Sequence, residues 1–221
     1  VSIADSTQAV PQPTLRGALD AGDTEVLLIR HGRSADVVPG SPESADPGLH
    51  EVGTAQAAAL DVALADRRID AVYSSHLRRA VDTAMPLAAR RGLSVSVRPE
   101  LEEVRLGDWA NGEFRRRAAV ADPEWVAWSR TGRWDGIPGG EGDAAFRART
   151  TAAVRAIVAD HAGQVVAVVA HGGTIGAITA ELLGIERTLW LAVENTSVTT
   201  LHIGPHGVMV IGANDTRHLA G

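Results

Sequence analysis

The chain has 221 residues, 45% of them hydrophobic, no cysteine, and a formal net charge of -6 from 27 acidic and 21 basic side chains. Without cysteine these residues cannot build a disulfide framework, a thiolate zinc site or a cysteine nucleophile, and since every basic residue is arginine, a Schiff-base lysine and a phosphate-loop lysine are excluded too. No apolar run approaches the about 18 residues of a membrane span, the first 24 residues lack the basic start and apolar core of a secretion signal, and overall acidity argues against a nucleic-acid partner; the expectation is a cytoplasmic protein.

Residues 1–22, with Pro11-Gln12-Pro13 and little periodicity, read as a flexible leader, leaving 23–221 as a single domain. The run Val26-Leu27-Leu28-Ile29 shows no apolar–polar alternation, the mark of a strand buried on both faces, and it stops abruptly at Arg30-His31-Gly32. In open α/β sheets ligands bind beyond the carboxyl ends of strands, and Gly32 lets the backbone turn there. Residues 34–53, punctuated by Pro39, Gly40, Pro42, Pro47 and Gly48, read as a long loop, and 54–68 as a helix whose basic end, Arg67-Arg68, suits the helix dipole. A short strand over 69–73, a cap at Ser74-Ser75 and a helix over 77–91 follow, with Arg78 and Arg79 in the first turn. Cations there oppose the helix dipole unless an anion sits close by.

A third strand is expected over 93–98, after which the pattern changes. Leu101-Glu102-Glu103, Gly107-Asp108-Trp109, Arg115-Arg116-Arg117 and tryptophans 125, 128 and 134 suggest a lid insertion at about 105–140, anchored to the core by Trp125 and Trp128 on one helical face. The arginine triplet reads either as a solvated face or as steering for an anionic substrate. A helix over 143–161 leads into a second unalternating run, 164–170, which ends in His171-Gly172-Gly173 before a helix over 173–183. Strands over 198–203 and 208–211 flank Gly204-Pro205-His206-Gly207. Strands alternating with helices predict an α/β three-layer α/β/α sandwich, its mostly parallel sheet made mixed by the terminal hairpin. The two strand–His–Gly units, side by side, would bring His31 and His171 together.

Arg30, His31, Arg79 and His171, with Glu103 arriving from the loop after the third strand, form a set suited to a phosphoryl group. Planar guanidiniums match its equatorial oxygens, and an imidazole can attack in line. Metal-assisted hydrolysis and Ser-His-Asp acyl transfer each lack a part: there is no His-Glu-x-x-His pair and no Gly-x-Ser-x-Gly elbow, and Arg30 beside His31 repels a divalent cation.

Arg30-His31-Gly32, the stretch from Ser74-Ser75-His76-Leu77-Arg78-Arg79 to Ala84, Leu101-Glu102-Glu103 through Gly107-Asp108-Trp109, and Ala170-His171-Gly172-Gly173 together resemble the histidine phosphatase superfamily, in its phosphoglycerate mutase-like branch, over about 24–215. The resemblance implies that His31 is phosphorylated, that Arg30, Arg79 and His171 form the phosphate pocket, and that Glu103 protonates the leaving oxygen; the mechanism expected from these residues has His171 stabilise the equatorial charge as imidazolium. It implies no metal and no organic cofactor. Pro138-Gly139-Gly140-Glu141 with Arg149, and Asn195-Thr196-Ser197-Val198, resemble family motifs of structural or outer-shell character. The chain departs from the pattern at Val37, where relatives carry an Asn that contacts phosphate, at His76 in place of an Asp, and at His50 in a loop otherwise similar to Asp-x-Pro-Leu-Thr-Glu. Ser34 is the candidate replacement for the lost contact, and Gly172 a further candidate substrate contact.

The expected activity is a metal-independent phosphomonoesterase acting on a small phosphorylated metabolite. Phosphoglycerate mutase-type transfer is the alternative within the family, disfavoured because residues 103–109 resemble the phosphatase branch and a long basic mutase-type lid is not apparent. A non-catalytic phospholigand-binding module is the alternative outside it, and such a module needs the arginines but neither His31 nor Glu103.

Overall fold

The computed structural model describes residues 22–220, so the reading of 1–22 as a leader lies almost entirely outside the described residues. Six strands form one sheet: β1 (Thr24–Arg30), β2 (Ala71–Ser74), β3 (Val95–Val97), β4 (Val165–Ala170), β5 (Val198–Gly204) and β6 (Gly207–Asp215), in the spatial order β3-β2-β4-β1-β5-β6. β1 to β4 pair in parallel and β5 and β6 add antiparallel strands at one edge, giving the mixed sheet expected of a terminal hairpin.

The unalternating runs have a direct cause. In β1, Val26 and Leu28 enter one apolar cluster while Leu27 and Ile29 enter another, and in β4 Val166 and Val168 divide from Ala167 and Val169 in the same way. Helices α1 (Glu51–Ala63) and α2 (Arg78–Arg90) supply Leu60, Ala80, Ala84 and Leu87 to one face, and α5 (Asp143–Asp160) and α6 (Gly172–Leu183) supply Val154, Ile157, Ile175 and Ile178 to the other. These are the two outer layers. The four β1 side chains are fully buried, each contributing about 1.5–3 kcal/mol relative to exposure, so the strand end that carries Arg30 and His31 is a firm platform.

Several boundaries differ from the sequence expectation. α1 begins at Glu51 rather than 54 because His50 caps it, its Nδ1 accepting the Val52 N–H at 3.1 Å. It ends at Ala63, and Arg67 and Arg68 lie beyond it, paired with Glu25 and Asp70. α2 starts at Arg78 after an N-cap residue, Leu77, that provides no side-chain cap. The segment expected as a lid, about 105–140, contains α3 (Glu113–Ala119) and α4 (Pro123–Ser129). Its Trp109, Trp128, Trp134 and Ile137 pack with Phe146 of α5 and Ala177 of α6, and Trp125 packs against this cluster from a half-buried position. Among the described residues no helix is long and apolar enough to cross a membrane.

Candidate active site

β1 and β4 run in parallel with Arg30 level with Ala170, so the residues that follow each strand emerge together. The His31 N–H donates to the Ala170 carbonyl at 2.9 Å, and the His31 and His171 rings stand 5.0 Å apart at 61°. The backbone here is held from three sides. The Asn195 side-chain amide donates to the His31 carbonyl at 2.9 Å, the Thr196 N–H donates to the Arg30 carbonyl at 3.0 Å, and the Gly32 N–H donates to the Thr83 hydroxyl at 3.0 Å. Gly32 has a steric reason as well: a Cβ there would fall 2.6 Å from the Gly53 carbonyl oxygen in the first turn of α1.

His31 is 7% exposed, and its Nδ1 lies 2.7 Å from the Gly32 carbonyl oxygen. A carbonyl only accepts, so the ring proton sits on Nδ1 and Nε2 keeps its lone pair. The Arg79 Nε–H donates to that Nε2 at 3.3 Å. Burial first, then the Arg79 charge, push the His31 pKa down to about 3. The ring is therefore neutral and its unprotonated nitrogen accepts from a guanidinium.

Arg30 donates to the Val193 carbonyl at 2.5 Å, while its Nε is buried without a partner. Arg79 sits in the first turn of α2, where the sequence leaves two cations facing the positive end of the helix. The structure resolves this conflict with Asp46, from the loop before α1. Its carboxylate accepts the Arg78 N–H at 3.0 and 3.2 Å and lies 3.7 Å from Arg79 Nη1. Burial lowers the pKa of both guanidiniums, and Glu103 opposes that fall. Both stay charged, as arginines in proteins do.

Glu103 reaches the site from the loop after β3. Its Oε1 accepts the Val104 N–H at 3.0 Å and its Oε2 accepts the Gly173 N–H at 3.1 Å, in the first turn of α6. A Cβ on residue 173 would lie 2.4 Å from Glu103 Oε1 and 2.9 Å from the Trp134 ring, so only glycine leaves this carboxylate its place. Behind it, Arg149 grips Glu141 through two 2.7 Å bonds and donates to the Glu100 carbonyl at 2.7 Å, pinning the segment that carries Glu103.

His171 is fully buried, with Nε2 2.9 Å from the Ser75 hydroxyl and Nδ1 without a partner. Burial, followed by His31, Arg79 and Arg30, holds its pKa well below the usual histidine range. In the free site this ring is neutral, which differs from the imidazolium expected of it in the mechanism. Ser75, expected as a helix cap, is occupied with this histidine.

The Ser34 hydroxyl oxygen accepts from Arg115 Nη2 at 2.9 Å, and Arg115 Nη1 donates to the Ala35 carbonyl at 3.2 Å. The arginine triplet is thus divided. Arg116 and Arg117 are taken up by Glu113, Asp122 and Glu124, whereas Arg115 turns to the site and its charge is felt at His31, Arg30 and Arg79. Val37 lies against Gly112 of the lid, where a Cβ would meet its Cγ2 at 3.3 Å, and Gly172 lies against Arg30, where a Cβ would meet Nε at 3.6 Å. The residues that sequence reasoning missed, Asp46 and Ser75, had local signals, an Asp before Pro47-Gly48 and a Ser pair after a strand. Their partners lie 32 and 96 residues away. Among the described residues no group of three or more His, Asp or Glu side chains is placed to hold a metal ion.

A family model described as the histidine phosphatase superfamily (branch 1) matches residues 26–216. A glucosyl-3-phosphoglycerate phosphatase of Mycobacterium tuberculosis is 36% identical over 177 residues, 76% of this chain and 78% of that protein. A metal-independent phosphoserine phosphatase of Arabidopsis thaliana is 32% identical over 205 residues, 89% of this chain and 84% of that one. Among solved structures, mycobacterial glucosyl-3-phosphoglycerate phosphatase superposes with a TM-score of 0.76 at 30% identity, covering 88% of this chain and 100% of its own.

Proposed function

The chain belongs to the histidine phosphatase superfamily (branch 1) and is a phosphoric monoester hydrolase; we propose that it acts on a small phosphorylated metabolite, without a metal, through a phosphohistidine at His31. The observation that carries this reading is the state of His31: a buried ring, its Nδ1 proton fixed on the Gly32 carbonyl, its Nε2 unprotonated and accepting from Arg79, a contact that an arriving phosphoryl group replaces. A binding module has no use for a neutral ring nitrogen kept unprotonated among arginines.

In the first step His31 Nε2 attacks phosphorus as the bond to the leaving oxygen breaks, and Glu103 gives that oxygen its proton. Arg30, Arg79 and His171 receive the equatorial oxygens. The unpartnered Arg30 Nε and His171 Nδ1 are donors with no other task in the free site. In the second step water attacks the phosphohistidine, Glu103 takes a proton from that water, and inorganic phosphate leaves with the Nε2 lone pair restored. Arg115, held at the rim by Ser34 and the Ala35 carbonyl, faces the rest of the substrate and suits a metabolite with a second anionic group. Val37 makes no polar contact with a phosphate, and Arg115 with Ser34 takes over that side of the pocket. A cytoplasmic location is part of the same proposal, because phosphorylated metabolites are charged and do not cross membranes unaided.

The test is a screen of phosphomonoesters with chelator present, run beside His31→Ala, with acid-quench trapping of phosphohistidine. Phosphate release that survives chelator and is lost with the phosphoenzyme in His31→Ala is the expected result. Turnover or a phosphoenzyme retained in that variant would remove His31 from its role, and an isomerised phosphoester in place of free phosphate would make the enzyme a mutase.

A further inference from the structure

We propose that Ser75 is a positioning residue that fixes the tautomer of His171, keeping it a neutral ring that offers its Nδ1–H to the transferred phosphoryl group. The proposal rests on the reading of His171 as part of the phosphate pocket.

Both residues are fully buried, with Ser75 Oγ 2.9 Å from His171 Nε2. The same Oγ is 3.3 Å from the Leu77 N–H, which can only donate, so in that contact the hydroxyl accepts. Its own hydrogen is then free for His171. The rest of Ser75 is committed, its N–H to the Val169 carbonyl at 3.0 Å and its carbonyl to the Ser74 hydroxyl at 2.8 Å. If Nε2 accepts from Ser75, the one group left unpaired is Nδ1–H. If Nε2 carried the proton, the Ser75 hydrogen and the Nδ1 lone pair would both be orphaned in a dry interior. If the ring were doubly protonated, a buried charge would stand among Arg30, Arg79, His31 and His76, the charged and titratable groups that face it. The first arrangement leaves the fewest unmet groups, and its single orphan is the donor a phosphate oxygen needs.

The two histidines then form a matched pair with opposite offers. The Gly32 carbonyl leaves His31 with an unprotonated Nε2 that accepts from Arg79, and the Ser75 hydroxyl leaves His171 with an unprotonated Nε2 that accepts from Ser75 and a protonated, unpartnered Nδ1. One ring gives an electron pair and the other a hydrogen bond, and neither adds charge to a site already holding Arg30 and Arg79.

The test is a long-range proton–nitrogen correlation spectrum of the 15N-labelled full chain at neutral pH, with His171 identified by its loss in His171→Asn. The expected result is one neutral tautomer with the proton on Nδ1. Ser75→Ala should release that preference and lower kcat/KM for the best phosphomonoester by about tenfold or more, and Ser75→Thr, which keeps a hydroxyl, should restore both. A wild-type His171 that is doubly protonated or carries its proton on Nε2 overturns the proposal whether or not Ser75→Ala folds, and so does a Ser75→Ala enzyme with unchanged tautomer and rate. Phosphohistidine trapping on the same samples separates the two readings. A phosphoenzyme with the wrong His171 tautomer removes the role of Ser75 alone, whereas the right tautomer without a phosphoenzyme removes the mechanism at His31.

Discussion

As pH falls from 6.5 towards 3, the unfolded chain takes a proton at residue 31 that the folded chain refuses, because the native pKa is pushed down to about 3. The sign follows from linkage: a state that binds more protons is favoured by acid, so the unfolded state gains. The neutral ring costs no stability above about pH 6.5, and each pH unit below it removes about 1.4 kcal/mol through this one group until the native pKa is reached. His171, lowered in the same direction, adds to the loss. Denaturant midpoints should therefore fall steeply between about pH 6 and 4, and His31→Asn, which removes the titrating group, should flatten the curve. The same shift protects catalysis. The acid limb of kcat/KM should not show the inflection near pH 6.5 of an ordinary histidine, and a limb at that pH belonging to His31 would mean that the ring is not buried among cations as described.

At the scale of elements, α2 shows how a local flaw is repaired from a distance. Leu77 gives its N-terminus no side-chain cap, and Arg78 and Arg79 add charge of the wrong sign. Asp46 supplies both the acceptor for the Arg78 N–H and the counter-charge for Arg79. Asp46→Ala should lower stability by about 1 kcal/mol, the usual worth of a cap, and should also raise KM because Arg79 loses a partner that orients it. Asp46→Asn keeps an acceptor and should recover the stability, measured by the urea midpoint, but not the KM. Equal losses in both variants would show that charge alone matters. Much of the site was legible because its parts sit at strand ends. Uninterrupted apolar runs mark β1 and β4, and a parallel pair must bring whatever follows them together, so the sequence pattern alone gathers His31, His171 and Arg30. What was not legible depends on contacts far apart in sequence. The reach of Asp46 to α2, of Ser75 to His171, and of Arg115 to Ser34 leaves no trace in periodicity. The early start of α1 hid behind His50, an uncommon cap.

Over the whole molecule, an overall charge of -6 surrounds a pocket in which Arg30, Arg79 and Arg115 converge. Within about a Debye length of the pocket, roughly 10 Å at 0.1 M salt, these guanidiniums outweigh the net charge of the chain and draw a phosphomonoester in. The segment over about 105–140 contributes to this field. Its aromatic cluster packs on Phe146 and Ala177, while Arg116 and Arg117 are spent on neighbouring carboxylates, which leaves Arg115 as the triplet's contribution to the pocket field. Exposed cations act over roughly a Debye length, about 10 Å at 0.1 M salt, whereas the buried Arg30 and Arg79 are screened far less. Raising ionic strength should therefore lower kcat/KM while leaving kcat nearly unchanged, because capture is screened and the chemistry inside the pocket is not. Arg115→Ala should lower kcat/KM at low salt and reduce its salt dependence, with phosphoenzyme formation at saturating substrate little altered. If the salt slope is the same with and without Arg115, the charge that steers substrate lies elsewhere, and the lid serves only to cover the site.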